Sequence, residues 1–261
     1  MSQPIKLIST DFDGTIFAEF ENPPIPTKLV QLIGDLQSRG VKWIINTGRD
    51  MSGLLEALAR ARIPIQPDGL VLVEREIYFH QDSQFIADHE WNLRCAQVHR
   101  ELFERVAPDL PRITKWINDR FPATIYEDPW SPFCLLAGNN GAADAIHDYL
   151  TDYCQSVPHL TVVRNDVYAR LAHDGYNKGM ALSEIARRWA IGREAIFAVG
   201  DHLNDAPMLD LQHASWLATT SNAVTAIKEQ VQRQGGYVSR LRAGHGVADA
   251  LQMFLNSPKL G

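Results

Sequence analysis

Short apolar runs that stop at polar clusters alternate with stretches of helical period at both ends of this chain, and few folds accommodate that order. Ile5-Lys6-Leu7-Ile8-Ser9-Thr10 runs into Asp11, Val41 to Ile45 runs into Asn46-Thr47-Gly48-Arg49, and Ala195 to Val199 runs into Gly200-Asp201. Runs of this kind read as strands of a buried parallel sheet. Between them, Leu29, Leu32, Ile33 and Leu36 share one helical face, with Thr27 as the expected N-cap behind Pro23, Pro24 and Pro26, and with Gly40 as the stop. Leu54, Leu55, Leu58 and Ala59 form a second such face, and Leu182, Ile185, Ala186 and Trp189 form a third within Lys178 to Ala190. Strand, helix, strand, helix predicts a doubly wound α/β sheet, in which ligands sit beyond the carboxyl ends of the strands.

The alternation fades near Tyr78, where aromatic, proline and polar residues take over, and resumes after about Ala172. This predicts an inserted α+β module, with core segments at residues 1–80 and 174–261 and the insertion at 81–173. Within it, Ala87 to Val106 and Ala142 to Tyr153 read as helices, the second behind the Gly138-Asn139-Asn140-Gly141 turn; Thr161 to Val163 and Val167 to Leu171 read as strands.

Composition removes several function classes. At 261 residues and 45% hydrophobic the chain is long enough for a large core and a smaller second domain, which excludes disorder as a general description. A formal net charge of -6 offers no basic stripe to a nucleic-acid backbone, so nucleic acid is not an expected partner. Met1 to Ser9 lacks the pattern of a signal peptide and no apolar run approaches a membrane span, so the expectation is a cytoplasmic protein without a membrane partner. Cys95, Cys134 and Cys154 are odd in number and far apart, which suits neither a disulfide framework nor a zinc knuckle.

Four polar clusters carry the chemistry. Asp11-Phe12-Asp13-Gly14-Thr15 projects two carboxylates to the same side of an extended chain, just before a glycine that can turn away. Such a pair serves a cation, a shared proton, or a division into nucleophile and acid/base; alone, it also fits a solvated turn. Thr47 offers a hydroxyl and Gly48 an accessible amide to a phosphate oxygen, or they form an ordinary turn. Lys178 stands at a helix start, where a cation is disfavoured unless an anion is near, though it is also a position open to a surface lysine. Gly200-Asp201-His202-Leu203-Asn204-Asp205 places oxygen ligands past a strand, suited to a hard cation, while Asp201 or Asn204 could equally cap a helix.

In that order, Asp11-Phe-Asp-Gly-Thr, Thr47-Gly-Arg, Asn177-Lys178-Gly and Gly200-Asp201-x-x-Asn204-Asp205 resemble the four motifs of haloacid dehalogenase-type phosphatases. An insertion between the second and third motifs resembles the Cof-type sugar-phosphate phosphatases with a C2 cap, and Ser221-Asn222-Ala223-Val224 followed by Gly246-Val247-Ala248 is similar to that family's closing pattern. Asn46, His202 and Asp68-Gly69 depart from the family's usual residues. The resemblance implies a Rossmann-like core and hydrolysis of a small phosphorylated substrate through an aspartyl-phosphate on Asp11, with Asp13 as acid and base. It implies magnesium held by Asp11, Asp13 (through its carbonyl) and Asp201, with Asp205 steadying that shell or Lys178. Thr47, Gly48, Lys178 and Asn204 would bind phosphate, and the insertion would act as a lid. A phosphotransferase or mutase, and a non-catalytic phosphate-binding protein, are the alternatives.

Arg49 follows the second motif and is a candidate to orient substrate or hold the cap, or to form a surface salt bridge. Arg94, Arg112 and Lys115 are candidate substrate contacts in the insertion. The nine histidines show no metal-ligand spacing and the tryptophans are scattered, which favours packing roles. A monomer or small homo-oligomer is expected.

Overall fold

A computed structural model of the chain describes residues 5–256. Residues 5–88 and 178–256 belong to one compact unit and residues 89–177 to another. The first unit is built on an eight-stranded sheet. Its first segment runs β1 (Leu7–Thr10), α1 (Thr27–Ser38), β2 (Lys42–Asn46), α2 (Met51–Ala61), β3 (Gly69–Leu72), β4 (Glu76–Gln81) and β5 (Gln84–Ala87). The second unit then contributes α3 (His89–Val106), α4 (Leu110–Asn118), β6 (Ala123–Asp128), β7 (Ser131–Ala137), α5 (Asn140–Gln155), β8 (Leu160–Asn165) and β9 (Tyr168–His173). The chain returns with α6 (Lys178–Arg188), β10 (Ile196–Val199), β11 (Trp216–Thr219), α7 (Thr225–Arg233), β12 (Tyr237–Val238) and α8 (Ala243–Asn256).

The sheet order is β12-β11-β10-β1-β2-β3-β4-β5, parallel from β12 to β3 and closed at one edge by the antiparallel β4 and β5. All residues of β1, β3 and β10 are buried, as both faces of a doubly wound sheet require. Leu29, Ile33 and Leu36 of α1, Leu54 and Ala57 of α2 and Leu251 and Phe254 of α8 share one core with Ile8, Trp43 and Ile45. Register places the catalytic candidates: Thr10 pairs with Val199 on one side and with Ile45 on the other, so three strands end level. Asp11, Asn46-Thr47 and Gly200-Asp201 therefore emerge together where the connections diverge from β1, the crevice of an open α/β sheet.

Several expected boundaries shift. Thr27 is the first residue of α1, and Pro26 occupies the N-cap without a side-chain bond, because proline's fixed φ of -60° with ψ of 133° already sets the entry. The helix expected from Ala87 begins at His89, since Ala87 pairs with Tyr78 in the sheet. For the same reason the compact units divide at 88/89 rather than 80/81: the β4–β5 hairpin extends the core sheet. The return falls at 177/178 rather than 173/174; the Tyr176 ring lies 4.8 Å from that of Trp91 in the second unit.

The second unit is an antiparallel sheet ordered β6-β7-β9-β8, its core formed by Leu102, Ile113, Ile117, Phe133, Ile146, Leu150 and Leu171. Asn139 caps α5 by accepting from the Ala142 amide at 2.9 Å. Arg94, Arg112 and Lys115 are exposed there, in local pairs with Glu90, Asp109 and Asp119. No helix among the described residues is long and apolar enough to cross a membrane.

Candidate active site

β1 delivers Asp11 to the level of Val199, whose carbonyl accepts from the Asp11 amide at 2.9 Å. The chain then coils tightly, with the Thr15, Ile16 and Phe17 amides all directed at the Phe12 carbonyl and the Phe12 and Phe17 rings stacked at 4.8 Å. This coil needs Gly14, which sits at a φ of +74°. A methyl group there would lie 2.5 Å from Asp201 Oδ2. Gly14→Ala is therefore expected to destabilise by at least about 1–2 kcal/mol from backbone strain alone, with a further loss of activity as Asp201 is displaced; denaturant titration and turnover check the two effects separately.

Lys178, the first residue of α6, is wholly buried, and its Nζ donates to Asp11 Oδ1 at 2.7 Å and to Asp205 Oδ1 at 2.6 Å. The surface-lysine reading is thereby excluded. The second Asp205 oxygen accepts from the Asp201 and His202 amides at 2.8 and 3.0 Å. Asp205 is thus fully engaged in orienting Lys178 and the loop after β10. Neither Asp201 nor Asn204 caps a helix there; His202 holds the N-cap position of a single turn at Leu203–Asp205. Asp201 accepts from Thr15 Oγ1 at 2.9 Å and from Asn222 Nδ2 at 3.1 Å, and Asn222 also donates to the Gly14 carbonyl at 2.9 Å.

Charge is out of balance in this cluster. Oxygen atoms of Asp11, Asp201 and Asp205 lie within 4.8 Å of one another, with Lys178 as their buried cation. Burial and the neighbouring Asp205 and Asp201 charges hold the Asp11 carboxyl well above its ordinary value despite the Lys178 bond. Burial and Asp205 push Asp201 up to about 7. Burial disfavours the Lys178 ammonium, but Asp11, Asp205 and Glu74 outweigh it and raise its value above the ordinary one. A carboxyl with a raised folded-state value binds more protons folded than unfolded, so stability falls as pH rises between its two values. The protein without added metal is expected to lose melting temperature from pH 5 toward pH 8, through the Asp201 range near 7; a pH series of thermal melts checks it.

Asp13 is less buried. Arg49 grips both its oxygens, Nε to Oδ2 at 2.8 Å and Nη2 to Oδ1 at 2.6 Å, and spans the Phe12 and Phe17 rings at 5.4 and 5.7 Å. Thr47 is buried, its Oγ1 accepting from the Arg49 amide at 3.1 Å. Gly48 lies against Glu74, whose Oε1 accepts from Asn204 Nδ2 at 2.9 Å. A hollow of about 460 Å³ opens beside Asp13, bordered by Gly14, Phe17, Asn222 and Arg242. The sequence motifs thus converge, Thr15 and Asn222, given no role by the sequence, make contacts to Asp201, and Glu74 joins from outside the motifs. Asp68, which stood out as a departure, does structural work instead, bonding Lys42, Gln37 and the Trp43 amide.

The model of the sucrose-6F-phosphate phosphohydrolase family matches residues 4–255. The chain belongs to this family. Like other members of the haloacid dehalogenase superfamily of the Cof type, this family's protein is a phosphoric monoester hydrolase. Over 259 residues the chain is 25% identical to the 5-amino-6-(5-phospho-D-ribitylamino)uracil phosphatase of Bacillus subtilis, covering 95% of each. The sucrose-phosphatase of Synechocystis, solved with sucrose and phosphate, superposes with a TM-score of 0.69 at 18% identity, over 97% of this chain and 98% of that one. A HAD/COF-like hydrolase from Plasmodium vivax gives 0.67 at 17%, over 97% and 96%. These two structural likenesses speak for the Rossmann-like fold.

Proposed function

We propose that the protein removes phosphate from a small phosphorylated metabolite, a sugar phosphate in particular, through an aspartyl-phosphate on Asp11. The observation that carries this is the buried Asp11–Lys178–Asp205 bridge at the carboxyl end of β1, beside Asp201. Lys178 fixes one oxygen of Asp11 and leaves the other to attack phosphorus, while its charge and the Thr47 hydroxyl neutralise the phosphoryl oxygens as negative charge builds on them. The bond from phosphorus to the leaving oxygen breaks as the bond to Asp11 forms. Asp13, protonated, gives its proton to that leaving oxygen; as a carboxylate it then takes one from the water that cleaves the aspartyl-phosphate. Arg49 sets the rotamer from which Asp13 acts, and releasing one of its two bonds frees an oxygen for the proton.

Excess negative charge and an all-oxygen donor set suit a hard divalent cation, so Asp11, Asp201 and the Asp13 carbonyl fit magnesium. Asp205, with both oxygens engaged, serves the surrounding shell. Bound there, the ion would offset the repulsion between Asp11 and an incoming phosphate dianion. The test is phosphate release from a panel of sugar phosphates, nucleotides and an aryl phosphate. Release is expected to favour one sugar-phosphate group and to fall at least about a hundredfold with chelator. Equal rates with and without chelator would contradict the metal assignment, and no release from any compound would contradict the hydrolytic reading of this substrate class.

A further inference from the structure

The turn between β3 and β4 is strained where the proposed mechanism makes no use of it. Val73 and Glu74 have φ values of +45° and +69°, and a β-branched residue there is an outlier that the surroundings must enforce. They do so through the second motif: the Val73 amide donates to the Arg49 carbonyl at 3.0 Å and the Glu74 amide to the Thr47 carbonyl at 2.9 Å. The result is a glutamate residue only 6% exposed, beside the proposed anion pocket. A methyl group on Gly48 would lie 3.3 Å from Glu74 Oε1, the same oxygen accepts from Asn204 Nδ2 at 2.9 Å, and Glu74 is among the charges that raise Lys178.

We infer that Glu74 is a positioning residue that fixes which way the Asn204 amide faces; this rests on the phosphate-binding role proposed for Asn204. The amide nitrogen carries two hydrogens, and its oxygen carries none. With one hydrogen held by Glu74, the other is free for a phosphoryl oxygen. Turned by half a rotation, the same side chain would set its oxygen against both Glu74 and the phosphoryl group. Glu74 makes that orientation unfavourable, and Gly48 leaves the room for it to do so.

The variants Glu74→Ala, Glu74→Gln, Asn204→Ala and Glu74→Ala with Asn204→Ala are compared for kcat, KM, inhibition by inorganic phosphate and melting temperature. Glu74→Ala is expected to weaken phosphate inhibition and raise KM about tenfold, with kcat within about threefold. Glu74→Gln, which keeps an acceptor oxygen, should restore both, and the double variant should be no worse than Asn204→Ala alone. If Asn204→Ala weakens phosphate binding while Glu74→Ala does not, if the two effects add, or if Glu74→Gln fails as Glu74→Ala does, the inference is overturned. If Asn204→Ala leaves phosphate binding intact in an enzyme that turns over, the role of Asn204 itself is wrong and the inference falls with it.

Discussion

Replacing Asp11 by asparagine is expected to lower phosphate release by about 10⁴-fold or more, because an amide oxygen cannot attack phosphorus to form the intermediate. The same change should leave the metal-free protein as stable as the parent or more so. Burial and two neighbouring acids disfavour the ionised form of Asp11 and hold its carboxyl well above the ordinary range. Ionising Asp11 therefore works against folding, and a neutral side chain of the same shape removes that opposition. Loss of turnover with a retained or raised melting temperature separates a chemical role from a structural one. A stable variant that still released phosphate at a comparable rate would mean that the nucleophile lies elsewhere.

Lys178→Met should produce the opposite pattern in stability. The ammonium has no exposed surface and bridges two carboxylates at 2.7 and 2.6 Å. Removing it leaves Asp11 and Asp205 buried without their cation, at a cost of about 3–5 kcal/mol. Lysine's folded-state value lies above its ordinary one, so its stabilising contribution is fully present below the ordinary value and is lost only as pH rises beyond it. The full deficit should thus appear at neutral pH in a urea titration, accompanied by loss of turnover. Adding Asp205→Asn should recover part of the stability and none of the activity. Equal stability of Lys178→Met and parent would show that the bridge does not hold the site together.

Much of this site is legible in the sequence because parallel strands end at one level. Once Asp11, Thr47 and Asp201 are each placed just past an apolar run, the topology of the sheet gathers them, and a lysine at a helix start then has a reason to be there. The elements β1, α1, β2, α2, α6 and β10 are readable for the same cause, a period that changes from strand to helix, whereas the β4–β5 hairpin is not. What escapes is set by contacts distant in sequence. Val73-Glu74-Arg75-Glu76 carries no motif or period that marks it, and its backbone bonds to Thr47 and Arg49, distant in sequence, set the turn that holds Glu74 at the site. Asn222 is one amide in a closing motif until it links Gly14 to Asp201. In the second unit, the β6–β7 hairpin is masked by Pro129, Trp130 and Pro132, residues that break a strand pattern locally although Asp128 folds the turn by accepting from the Trp130 and Ser131 amides.

If Asp11 carries the phosphoryl group, an Asp13→Asn variant should trap it there. The aryloxide of an aryl phosphate leaves without help from an acid, whereas hydrolysis of the intermediate would still need the base proposed for Asp13. With magnesium and an aryl phosphate, acid quenching and peptide mass analysis of this variant should find one phosphoryl group on the peptide containing Asp11, and none when Asp11→Asn is added. Phosphate released by the Asp13→Asn variant, with the Asp11 peptide unmodified at every quench time, would contradict that role for Asp11.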